Sequence, residues 1–115
     1  MGVDRRPIDQ MVLDVGGEAF QRLARLFEEE TRGAVVALRS LLGTEDWREL
    51  GRQAHSLKHA TSSFGLTDLA DIAALIEKAA DAHKGAEAEV QLALLEAQVD
   101  GDLAELDRVL GTIDA

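Results

Sequence analysis

Apolar residues recur along this chain every three or four positions almost without interruption, and no stretch alternates apolar with polar in the two-residue rhythm of a half-buried strand. The pattern predicts an all-α protein. Pro7, whose fixed φ suits a first helical position, opens a short helix over 7–15 that carries Ile8, Met11, Val12 and Val15 and stops at Gly16-Gly17. A second helix is expected over 18–42, with Phe20, Leu23, Phe27, Thr31, Ala34, Leu38 and Leu41 as its apolar seam, Gly33 as a local weak point and Gly43 as its stop. A third over 45–64, capped by Thr44, has the seam Trp47, Leu50, Ala54, Leu57, Thr61 and Phe64, and Gly65 ends it. A fourth spans 67–82 with Leu69, Ile72, Ala73, Ile76 and Ala79 on one face. The fifth, over 86–113 with a bend expected near Gly101, carries Leu92, Leu95, Val99, Leu103, Leu106, Leu110 and Ile113.

Four long amphipathic helices joined by short connectors must run antiparallel to their neighbours, which predicts an up-down-up-down four-helix bundle with the first helix laid across one end. At 115 residues this is one domain, with no internal repeat or linker. Abundant Ala, Leu, Glu and Arg, with few β-branched and aromatic residues, favour helix independently.

Composition narrows the function. The absence of cysteine excludes a disulfide framework, a thiolate nucleophile and a cysteine-ligated metal. A net charge of −10 repels phosphate backbones, so the expected partners are proteins and not nucleic acid. The stretch from His59 to Thr67 is the longest without Asp, Glu, Lys or Arg, far short of a membrane span. The first residues lack the apolar core of a signal peptide, so a cytoplasmic monomer without membrane insertion is expected.

Chemistry concentrates on the third helix. His55 follows seam residue Ala54 by one position, which turns it about 100° out of the core. Arg48, Arg52, His55, His59 and Ser62 then line one outward stripe, with Lys58 on its flank. Residues 47–63 carry a balance of +2, a small cationic patch on an acidic protein. A neutral imidazole is a nucleophile near neutral pH, and an ammonium beside it offsets the charge of an acquired phosphoryl group. The i, i+4 spacing of His55 and His59 also suits two metal ligands, but Ser56 stands where a zinc protease needs Glu, no third ligand is apparent and cations surround the pair, so no metal is expected. With no Gly-rich phosphate loop, the chain is expected neither to bind ATP nor to phosphorylate itself. Phe20, Phe27, Phe64 and Trp47 read as packing, and His83 carries no signal.

The stretch from Ala54 to Ala79 resembles the signature of histidine-containing phosphotransfer (HPt) domains, Ala-His-x-Leu-Lys-Gly, a downstream Gly and a Leu-rich helix ending in a Leu-Glu-like pair. Ala54, His55, Leu57, Lys58, Gly65, Leu69 and Ile76-Glu77 stand at these positions, and the likeness extends to Gly16-Gly17 before Phe20, to Phe27 and to Asp46-Trp47. The resemblance implies a four-helix bundle with a short leading helix. It makes His55 the phospho-acceptor and Lys58 its charge partner. The implied role is a relay intermediate that takes a phosphoryl group from a receiver-domain aspartate and passes it to another. Response-regulator receiver domains and a hybrid sensor histidine kinase are then the partners, with Mg²⁺ held by the receiver and no cofactor in this chain. The stripe residues Arg48, Arg52, His59 and Ser62 would meet the partner. His59 departs from the family, which usually has a small residue there, most often Gly; Ala60 and Thr61 replace small hydroxyl residues. The alternative is a helical adaptor that docks receivers without carrying phosphate.

Overall fold

A computed structural model describes residues 2–114. They form five helices and, among the described residues, no strand: α1 (Arg5–Val15), α2 (Gly17–Gly43), α3 (Trp47–Ser63), α4 (Thr67–Asp81) and α5 (Gly85–Leu110). The connectors 44–46, 64–66 and 82–84 are three residues each, and α2 packs on α3, α3 on α4, α4 on α5 and α5 back on α2. The expected all-α bundle is therefore a closed antiparallel ring, 44 Å long and about half as wide.

α2 has 27 residues and α3 only 17, so the α2–α5 pair projects past the α3–α4 turn at one end. α1 fills that step. Ile8 is fully buried there, and the Asp4 amide donates to the Gly65 carbonyl at 2.8 Å. Phe64, at the same end, stacks on Phe27 with ring centroids 4.2 Å apart and lies 5.8 Å from Phe20, so one aromatic cluster ties α2 to the end of α3.

Several sequence expectations shift locally. α1 starts at Arg5 because Asp4 caps it, its Oδ1 accepting from the Arg6 amide at 3.0 Å, and Pro7 sits later in a first turn whose amides need no helical partner. Asp46, not Thr44, caps α3, its carboxylate accepting from the Glu49 amide at 3.3 Å. Thr44 instead donates its hydroxyl to the Ser40 and Leu41 carbonyls and finishes α2, while Glu45 turns the chain at a φ of 55°. On α2 the buried set is Phe20, Ala24, Phe27, Thr31, Val35 and Leu38, which keeps the 3.6-residue period over the whole length. Leu23 lies off that line and is 44% exposed. α5 ends at Leu110, and Ile113 reaches the core edge from a turn beyond it. Helix runs unbroken through Gly33 and Gly101, where a Cβ would meet nothing.

Across the α2–α5 seam, Glu28 is partly buried, with its Oε1 lacking a hydrogen-bond partner. Burial first and the neighbouring Asp107 second push its carboxyl up to about 7. Between its ordinary value near 4.5 and about 7 the folded chain holds a proton that the unfolded chain releases, so this group's contribution is favourable below that window and is lost as pH rises through it. Glu28→Gln is expected to raise stability at pH 8 by about 1 kcal/mol, after allowing for solvent screening, and to change little at pH 4. Urea unfolding of both proteins at the two pH values checks this.

Candidate functional site

Leu50, Ala54, Leu57 and Thr61 bury the inner face of α3, and this fixes what its outer face presents. Arg48, Arg52, His55, His59 and Ser62 are all exposed along one stripe. The His55 side chain is 50% exposed and leans toward α4. Small residues let the two helices approach closely: a Cβ on Gly51 would sit 3.6 Å from that of Ala80, and Ala54, Ala73 and Ala80 are fully buried. Ile76 points into the core, so the next residue, Glu77, emerges at the α3–α4 border.

Glu77 joins the site together. Its Oε2 lies 2.8 Å from His55 Nδ1, and its Oε1 accepts from Lys58 Nζ at 2.9 Å. Partial burial pulls the Glu77 carboxyl up, but the hydrogen bonds from Lys58 and His55 outweigh it and hold it below the usual carboxylate range. An ionised carboxylate accepts only, so His55 Nδ1 carries a proton, and in the neutral ring the lone pair is then on Nε2. That lone pair is not idle: His59 Nε2 lies 3.1 Å from it, with the ring planes at 73°.

The patch is less cationic than the α3 residues alone suggest. Arg52 is paired through two hydrogen bonds with Glu49, whose carboxyl it holds well below the usual range, and Glu77 adds a second negative charge from α4. In the sequence Glu77 stands out only as half of an Ile-Glu pair. Its place one position after a core residue was the available signal; which residue it would meet on α3 depends on helix register. His83 lies at the opposite end, stacked on Trp47 at 5.5 Å.

Beside the histidines, toward α1 and α2, runs a shallow groove of about 380 Å³ lined by Met11, Leu23, Leu26, Phe27, Ala60 and Ser63, among others. Leu26 is 51% exposed there. Among the described residues no three His, Asp or Glu side chains come together as a metal cluster, and no helix is long and apolar enough to cross a membrane. The geometry is a half-exposed imidazole hydrogen-bonded through Nδ1 to a carboxylate, an ammonium on the same carboxylate and an adjoining apolar groove.

A family model described as the Hpt domain matches residues 22–110, which include α3, α4 and every residue of this cluster. No curated protein and no solved structure gives a significant match.

Proposed function

The chain belongs to the Hpt domain family, and from that premise we propose that His55 takes a phosphoryl group from an aspartyl phosphate on one receiver domain and delivers it to the aspartate of another. The observation that supports this reading is the 2.8 Å contact of Glu77 with His55 Nδ1, which would leave Nε2 as the nucleophile of the neutral ring. Nε2 attacks phosphorus, the P–O bond breaks, and the aspartate leaves as a carboxylate. The Nδ1 proton stays on the ring against Glu77, so in the reverse step the imidazole departs neutral, which makes it a good leaving group. Mg²⁺ belongs to the receiver.

Lys58 is tied to Glu77 in the free protein. Released from Glu77, its ammonium would offset the charge of a phosphoryl group on Nε2. The groove between α1, α2 and α3 would take an apolar element of the receiver, while Arg48, Arg52 and Ser62 would meet its polar rim. Charge on the stripe orients the encounter more than it adds affinity.

Incubation with a panel of phosphorylated receivers tests the reading: acid-labile label should appear on this chain. Stable receiver binding with no label would instead support the adaptor. Glu77→Leu is expected to slow phosphoryl gain roughly tenfold with the fold intact, because the freed ring loses both its orientation and its single tautomer. Single-turnover transfer from a phosphorylated receiver measures it.

A further inference from the structure

The acceptor nitrogen is engaged in the free protein. With the Nδ1 proton of His55 committed to Glu77, Nε2 of the neutral, nucleophilic ring can only accept, and in that form the 3.1 Å contact is made by His59 Nε2–H donating into the lone pair that would attack phosphorus. The ring centroids are 4.4 Å apart and the two imidazoles meet at their Nε2 atoms, so His59 occupies the hydrogen-bonding direction of that nitrogen. Since Nε2 carries no proton, His59 has none to remove and is not a general base here.

We infer that His59 is a positioning residue that gates the acceptor: it holds the His55 lone pair in a hydrogen bond until a partner draws its N–H away. This rests on the phosphotransfer role of His55 and adds to it a requirement on the partner. A productive receiver must present a hydrogen-bond acceptor, a carboxylate or a backbone carbonyl, opposite His59. A receiver without one must break the bond uncompensated, and the gate thereby selects among receivers.

Phosphoramidate, a small donor that needs no docking, separates the gate from recognition. In its reaction Nε2 forms the new N–P bond as the donor's P–N bond breaks and ammonia leaves. Breaking one neutral hydrogen bond accounts for a rate difference of about two- to tenfold, so His59→Ala should gain phosphate that much faster than the unsubstituted protein. His59→Gln, which keeps an N–H donor, should return toward the slower rate. In imidazole ¹⁵N spectra the His55 Nε2 resonance should move toward that of an unbonded nitrogen in His59→Ala and not in His59→Gln. Equal or slower phosphorylation of His59→Ala, or an unchanged His55 resonance, would overturn the gate. If the unsubstituted protein gains phosphate from no donor, the phosphotransfer reading fails instead, and the nitrogen resonance alone decides whether the hydrogen bond exists.

Discussion

His55→Gln is expected to abolish acid-labile phosphorylation completely while leaving helicity and melting temperature close to those of the unsubstituted protein. Glutamine matches the polarity of imidazole but offers no nitrogen nucleophile. The replaced side chain is half exposed and outside the buried set, so little packing is lost. Its contact with Glu77 is the main structural casualty, and Glu77 keeps Lys58 as a partner at 2.9 Å. Phosphorylation by a receiver, followed by acid treatment and circular dichroism of the same sample, reads both halves. Label that survives the substitution would move the acceptor to His59.

The second large effect falls on the fold. Gly65 sits at a φ of 74°, and a Cβ built on it would lie 2.0 Å from the Asp4 carbonyl oxygen and 3.2 Å from Val3. Gly65→Ala is therefore expected to cost about 3 kcal/mol. Left-handed backbone costs a non-glycine residue about 1–2 kcal/mol. The remainder comes from pushing α1 off the bundle end, where it buries Ile8 completely and holds the 2.8 Å bond from the Asp4 amide. A fall in the urea midpoint measures it. His55 should still accept phosphate from a small donor that needs no docking groove below the new transition, because His55, Lys58 and Glu77 stand on α3 and α4.

The division between what the chain's pattern foretold and what it did not follows from the range of the interactions. Helix number, type and the inner faces of α3 and α4 rest on local periodicity, and Leu50, Ala54, Leu57, Ile72, Ala73 and Ile76 are buried as the spacing predicts. The outward stripe from Arg48 to Ser62 follows from the same rotation per residue. Caps were harder, because Thr44 and Asp46 are both good capping residues and only the left-handed turn at Glu45 decides between them. Leu23 reads as core from its side chain, yet Ala24 occupies the buried position, where a small residue lets a neighbour approach. Glu77 and Glu28 depend on the register between helices distant in sequence, which no single-helix pattern encodes. The proximity of His55 and His59 was legible as a spacing of four, but their shared hydrogen bond follows only once Glu77 fixes the proton on Nδ1.

The most direct measurement is to locate the phosphate itself. The protein is charged by a phosphorylated receiver with Mg²⁺ and read under alkaline conditions by ³¹P NMR together with tandem mass spectrometry. A single phosphoryl group on Nε2 of His55, discharged when a second receiver is added, is the predicted result. Phosphate on Nδ1 of His55, phosphate on His59, or a receiver that binds and transfers nothing would contradict it.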